Sequence, residues 1–156
     1  MRFYAGAPLL LVAMVATGTI AARTAKAPTQ MYRDGEKVGR LVPGQIGKIR
    51  AETWDVDCEG SAFVTRGRSG RDRLRINVHH WDGGVDGYAL FESASRWVIY
   101  QYYPRKVLGF ALRRSARRWV VLRLTPTGWM DEFGYTSGPD GPPAAAALLI
   151  ANCPDG

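Results

Sequence analysis

The stretch SASRWVIYQYYPRKVLGF at residues 93–110 is written a second time, with changes, as SARRWVVLRLTPTGWMDEFGY at residues 115–135. Five of the first eight residues are identical at an offset of 22 residues, and a proline in each copy keeps that offset. A three-residue insertion then aligns LGF at 108–110 with FGY at 133–135. Each copy consists of a predicted turn, an apolar run that begins with Trp, a break at Pro, and a second apolar run that contains Gly. The pattern predicts one β-hairpin per copy.

Two further observations predict that these hairpins belong to an all-β fold. Asp-Gly pairs, which favour tight hairpin turns, recur at 34–35, 82–83, 86–87 and 140–141, and the first predicts a hairpin over Met31–Leu41. Within the repeat, apolar side chains occupy both faces of the strands, so each strand must be covered on both sides. We therefore predict antiparallel hairpin repeats that form a curved sheet, a half-barrel or a barrel.

The C-terminal tail provides the cover for the inner face. Pro142-Pro143 precede Ala144–Ala151, a run of strong helix formers without a polar face. A helix over 143–151 must therefore be buried, and we predict that it packs against or inside the curved sheet. This arrangement is similar, in layout only, to tubby-like folds.

Weaker patterns extend the prediction. The run at 37–41 echoes the run at 106–110, and Trp54 stands where Trp97 stands in the repeat. Residues 73–79 alternate strictly, which predicts a strand with Leu74, Ile76 and Val78 on its buried face.

The N-terminus has the plan of a secretory signal peptide. Arg2 is followed by an apolar run from Ala7 to Ile20 and then by small residues. We divide the chain into a signal peptide at 1–22, a linker at 23–30 and a single β-domain at 31–156. An uncleaved anchor is the alternative, and it would be the chain's attachment to a membrane. Either interpretation places the domain outside the cytoplasm, in the periplasm or the extracellular space.

The two cysteines, Cys58 and Cys153, are too few and too far apart for a zinc site. In an oxidising compartment we expect them to form a disulfide that ties the tail to an early strand. We expect no metal and no cofactor.

The chain is basic, with a formal net charge of +7 and 17 Arg against 4 Lys. Many arginines fall in two clusters, which are the candidate anion-binding residues. The first comprises Arg66, Arg68, Arg71, Arg73 and Arg75, and the second Arg113, Arg114, Arg117 and Arg118. The expected partner is an anionic envelope component, lipid or polymer, or another protein. The alternative interpretation is that these are simply solvent-facing positions, and no pattern points specifically to nucleic acid.

Catalysis has little support in the sequence. His79 and His80 are adjacent, so on a strand they would point to opposite faces and could not easily share a metal. A small hydrolase using either one with Asp82 or Asp86 is the second hypothesis. The serines lack a nucleophile-elbow context, and the glycine-rich stretches lack the ending of a phosphate-binding loop.

Aromatic residues are numerous, and their position in the pattern separates them. Those at equivalent repeat positions, Trp97 and Trp119, are expected in the core. Trp81, Tyr102 and Tyr103 lie near predicted turns and are the candidates for an exposed surface that binds sugars or a partner protein. The leading hypothesis is an exported, non-enzymatic binding or scaffold domain, and a purely structural interaction module is the third.

Overall fold

The computed structural model describes residues 26–44, 51–58, 61–67, 70–151 and 153. These residues form ten β-strands, one short 3-10 helix and one α-helix. The strands are β1 (Thr29–Arg33), β2 (Glu36–Pro43), β3 (Ala51–Asp57), β4 (Ser61–Gly67), β5 (Arg75–His80), β6 (Val85–Ser93), β7 (Arg96–Gln101), β8 (Lys106–Ser115), β9 (Arg118–Leu124) and β10 (Met130–Ser137). The 3-10 helix η1 spans Gly70–Leu74, and α1 spans Gly141–Ile150.

The strands close into an antiparallel barrel. Each strand pairs with its neighbours in the chain, and β1 also pairs with β10, placing Met31 opposite Thr136. The all-β prediction is confirmed, and of the three shapes left open the closed barrel is the one observed. Because consecutive strands run in opposite directions, successive connections alternate between the two ends of the barrel.

The sequence repeat is also a structural repeat. Its two copies are the hairpins β7–β8 and β9–β10, and each has one bulged residue, Leu108 or Phe133, directly before a glycine. A Cβ on Gly109 or Gly134 would lie 1.9 Å or 2.1 Å from a backbone carbonyl oxygen of the next strand. Only glycine fits such a close approach, which explains why the glycine recurs.

The same bulge occurs in two more hairpins. Register shifts leave Val38 unpaired before Gly39 in β2, and Asp86 unpaired before Gly87 in β6. A Cβ on either glycine would also meet a carbonyl oxygen of the next strand, at 2.8 Å and 2.5 Å. The echo noted between residues 37–41 and 106–110 therefore marks a real equivalence.

Helix α1 fills the barrel, as its lack of a polar face predicts. It contacts eight of the strands, β1, β2 and β5 to β10. Ala144 to Ala147 and Leu148 are buried. The prediction of a buried terminal helix is confirmed, although the helix begins at Gly141 rather than at 143.

Three tryptophans are buried in the core, and two of them, Trp54 and Trp119, contact the start of this helix. Trp97 and Trp119 are buried at equivalent positions of the repeat, as predicted, and Trp54 is buried with them. Gly141 lies against the Trp119 ring, where a Cβ would be 2.0 Å from Cδ1. The Trp54 indole donates a hydrogen bond to the Asp140 carboxylate at 3.0 Å.

The disulfide ties down the other end of the helix. Cys58 follows β3, Cys153 follows α1, and their sulfurs are bonded with Cα atoms 5.7 Å apart. The predicted pairing is confirmed, and it indicates a location outside the reducing cytoplasm. No helix in the part of the chain that the structure describes is long and apolar enough to cross a membrane.

Two local predictions need correction. Ile76 and Val78 are buried as expected, but Leu74 lies in η1, before the strand begins, and is 47% exposed. The sequence cannot reveal this, because Leu74, at the end of the 3-10 helix, continues the alternation of apolar and polar residues that the strand begins. Strand β1 begins at Thr29, inside the stretch assigned as linker. The predicted signal peptide at 1–22 lies outside the described residues.

Candidate functional site

Both arginine clusters lie at the same end of the barrel. The first flanks the β4–β5 connection and the second flanks the β8–β9 connection, which are separated by an even number of strands. We call this end, with the β2–β3, β4–β5, β6–β7 and β8–β9 connections, the arginine end. Arg68 belongs to the first cluster in sequence but lies outside the described residues.

Three of the clustered arginines are engaged by neighbouring side chains. Arg66 forms an ion pair with Glu52 at 2.8 Å, and its guanidinium lies 5.5 Å from the centre of the Trp54 ring. Arg75 and Arg118 each lie 4.2 Å from the centre of a tyrosine ring, those of Tyr88 and Tyr135. Such contacts hold the guanidinium groups in place, so these residues contribute positive charge to the end without being freely available.

Other arginines of the clusters face solvent. Arg71, Arg114 and Arg117 are exposed, and among the described residues no carboxylate or ring holds their guanidinium groups. Arg113 is also exposed and donates from Nε to the Ser115 carbonyl oxygen at 3.3 Å. Arg73, also exposed, lies in η1. The arginine end thus presents guanidinium groups from two separate connections.

Two apolar side chains are exposed beside them. Leu74 is 47% exposed and Phe91 is 41% exposed. Arg75 pairs with Leu90, so Leu74, the last residue of η1, and Phe91 on β6 are the next residues towards the arginine end. Phe91 rests edge-on against Trp97, with ring centres 5.5 Å apart. The end therefore combines positive charge with a small apolar tip.

The opposite end carries the exposed aromatics. Trp81 is 77% exposed, Tyr102 is 51% exposed and Tyr103 is 88% exposed, so the structure places all three candidates at the surface. They occupy the β5–β6 and β7–β8 connections. The next hairpin adds Trp129, at 75% exposure. We call this end the aromatic end.

Sequence reasoning missed Trp129, although a signal for it exists. The second copy of the repeat carries its three-residue insertion between the proline and the bulge, which is where the β9–β10 turn lies. An aromatic residue in an inserted turn has no counterpart among the core positions of the first copy. That difference marks it as a surface residue.

The two histidines serve different local roles. His79 stacks on Phe63, with ring centres 4.5 Å apart, and its two ring nitrogens contact the Thr65 hydroxyl at 2.8 Å and the Gly83 carbonyl at 3.2 Å. His80 points elsewhere and its Nδ1 lies 2.6 Å from the Asp86 carboxylate. The two imidazoles therefore have different partners. No group of three or more metal-binding side chains occurs within the described ranges.

A buried polar cluster closes the arginine end around α1. The Asp140 carboxylate is buried, accepts the Trp54 indole hydrogen bond and is ion-paired with Lys26. The Asp140 backbone N–H donates to the Thr29 hydroxyl at 2.9 Å. Each of these contacts joins the helix start to the barrel wall, so the cluster is structural and Asp140 is not available to a ligand.

Comparison with known proteins finds no matching family model, no similar curated protein and no similar solved structure.

Proposed function

We propose that this chain is an exported, non-enzymatic binding domain whose arginine end binds an anionic lipid or polymer of the cell envelope. The observation that carries the proposal is that both arginine clusters lie at one end of the barrel. Arg71 from one connection and Arg114 and Arg117 from another are exposed there. Guanidinium groups pair well with phosphate and carboxylate, and several on one surface attract a polyanion.

The apolar tip favours a lipid surface over a soluble polymer. Leu74 and Phe91 would remain in water beside a polysaccharide, whereas a bilayer offers them an apolar layer beneath its phosphate groups. Two exposed side chains give shallow, reversible insertion, so most of the affinity would come from the arginines. We therefore place anionic phospholipid first and an acidic polymer second.

Export is supported by two features. The disulfide between Cys58 and Cys153 requires an oxidising compartment to persist. The apolar segment near the N-terminus has the plan of an export signal. Lys26, the first described residue, is held at the arginine end by Asp140, so the preceding chain joins the barrel at that end. An uncleaved segment would thus bring the arginine end towards the membrane that it enters.

The test compares two variants that each lose two positive charges, one variant at each end of the barrel. R114Q/R117Q removes two arginines from the arginine end, and R105Q/K106Q removes two cations from the aromatic end. Near an anionic surface each cation contributes about 1 kcal/mol, so R114Q/R117Q should bind about 30-fold more weakly. Binding to phosphatidylglycerol vesicles, phosphatidylcholine vesicles and soluble dextran sulfate is measured at low and physiological salt.

We expect wild type and R105Q/K106Q to bind phosphatidylglycerol vesicles equally, and more tightly than phosphatidylcholine, with affinity falling steeply as salt rises. Stronger binding to dextran sulfate than to the vesicles would select the polymer. Equal binding by all three proteins, or binding that salt does not change, would contradict the proposal.

The hydrolase hypothesis retains one supporting observation, the 2.6 Å contact between His80 and Asp86. A carboxylate in this position can orient an imidazole for general-base work. Within the described part of the chain, however, no candidate nucleophile contacts His80. The hypothesis stays a prediction, and the metal content of the purified protein, together with the effect of His80→Ala on any hydrolytic activity found, tests it.

A further inference from the structure

We propose that copies of this chain associate end to end, with the aromatic end of one copy seated on the arginine end of the next. This use of the aromatic end goes beyond the anion-binding proposal. Three successive hairpins present exposed rings there, from Trp81, Tyr102 and Tyr103, and Trp129, and Met130 beside Trp129 is 50% exposed. Neighbouring hairpins are two strands apart, so these rings are spaced by about 10 Å along the rim. Several large exposed apolar side chains at one end of a protein indicate a binding surface.

The groups that cover the other aromatic rings of this protein indicate the chemistry of the partner. In the described residues, seven arginines lie over aromatic rings at 4.2 to 5.5 Å from the ring centre. Trp81, Tyr103 and Trp129 have no such arginine within that part of the chain. At the other end, Arg71, Arg114 and Arg117 have no ring beneath them there. The uncovered rings and the uncommitted guanidinium groups are complementary.

Charge at the aromatic end supports the same pairing. Asp82 follows Trp81 directly, and Asp131 and Glu132 follow Trp129 and Met130, so carboxylates lie along the chain beside the exposed rings. All three carboxylate side chains are exposed. Cations are present as well, but Arg105 is already placed over the Tyr100 ring at 5.1 Å.

A groove beside Trp81 has the lining that a guanidinium group needs. It has a volume of about 420 Å³, and its lining includes Asp55, Asp57, Phe63 and Trp81. The Phe63 ring is already stacked on His79, so Trp81 is the ring that remains uncovered in the described part of the chain. Asp57 is paired with Arg40 at 2.7 Å, whereas Asp55 is exposed and has no ion-pair partner among the described residues. An exposed carboxylate in a groove that Trp81 also lines can accept an arginine from a second copy.

This contact joins two different surfaces, so it does not close on itself as a symmetric dimer interface does. Each copy in a pair still has one unused end, and further copies can add to it. The contact uses the arginine end, so a polyanion bound there would compete with it. Its failure leaves the anion-binding proposal intact, because that proposal makes no use of Trp81 or Trp129.

The test uses one variant for each end and their mixture, in sedimentation velocity experiments on the full chain at low salt. W81A/W129A disables the aromatic end, and R114Q/R117Q disables the arginine end. All four residues are exposed, and matching far-UV circular dichroism and unfolding midpoints establish that both variants fold. R105Q/K106Q is the control for loss of charge: it removes two cations at the aromatic end but keeps the exposed rings there and every arginine of the arginine end.

We expect wild type and R105Q/K106Q to form a concentration-dependent series of dimers, trimers and larger species, which high salt reduces. Each disabled variant alone should self-associate at least about 30-fold more weakly, the loss expected for interface hot spots. An equimolar mixture of the two variants retains one intact contact and should stop at the dimer. A monomeric wild type, or a mixture that stays monomeric or extends beyond dimers, would overturn the proposal.

Discussion

Leu148→Ala tests whether α1 fills the barrel in solution. Leu148 is buried, it belongs to the core cluster, and its Cδ2 atom would lie 3.0 Å from a Cβ placed on Gly134. Leu74→Ala is the matched control, because the same three carbon atoms are removed from a side chain that is 47% exposed.

Truncating a fully buried leucine removes its transfer free energy and leaves a cavity, which together cost about 3–4 kcal/mol in a rigid environment. A closed barrel cannot collapse around the helix, so we expect Leu148→Ala to reach that range. Leu74→Ala should cost less than about 1 kcal/mol, since much of its surface is already in water.

The assay is equilibrium urea unfolding of the oxidised protein, followed by tryptophan fluorescence, with the free energy of unfolding extrapolated to water. The three proteins should have equal m-values, so that a shifted midpoint reports stability. A cost below about 1 kcal/mol for Leu148→Ala would mean that the helix does not lie inside the barrel.

Three further predictions concern stability and use the same assay. Replacing Cys58 and Cys153 by serine should lower the unfolding free energy by about 4–5 kcal/mol in the chain-entropy model, and no change would mean that the bridge does not form. Gly109→Ala and Gly134→Ala should each cost about 2–3 kcal/mol or more through the clash with the next strand, and clearly unequal costs would contradict the structural repeat. Asp140→Ala should lower the unfolding free energy by about 2–3 kcal/mol, because it leaves the Trp54 indole N–H without a hydrogen-bond acceptor, and the half-exposed Lys26 should add little. Asp140→Asn should cost less, because the amide oxygen can still accept that hydrogen bond. Equal costs for the two variants would count against the hydrogen bond.

The sequence predicts the hairpins and the helix well because their causes are local. A tryptophan at the start of the first strand and a glycine within the return strand recur because the tryptophan is buried in the core and the glycine lies against a carbonyl oxygen of the next strand. The helix formed by the alanine and leucine residues of the tail has no polar face, so it is stable only when it is buried. Closure of the barrel is different, because the Met31–Thr136 pair joins residues more than a hundred positions apart and neither residue carries a pairing signal.

The candidate site was predictable only in part for a similar reason. Both arginine clusters and three of the exposed aromatics follow from composition and turn position. To predict that Arg71 and Arg117 lie at the same end of the barrel, one must know the number of strands between them. That number is known only if every hairpin between them is recognised. Which guanidinium groups remain free depends on ring contacts, such as Arg75 on Tyr88, that the sequence does not encode in any local pattern.

The most direct test of the functional account is the orientation of the protein on a membrane. Trp54, Trp97 and Trp119 are buried, so acrylamide quenching of fluorescence reports mainly on Trp81 and Trp129 at the aromatic end. At protein concentrations where the chain is monomeric, and with phosphatidylglycerol vesicles added at saturating lipid, the account predicts unchanged quenching and no blue shift, because the arginine end faces the bilayer. A blue shift with reduced quenching would show that the aromatic end inserts, and would contradict the account.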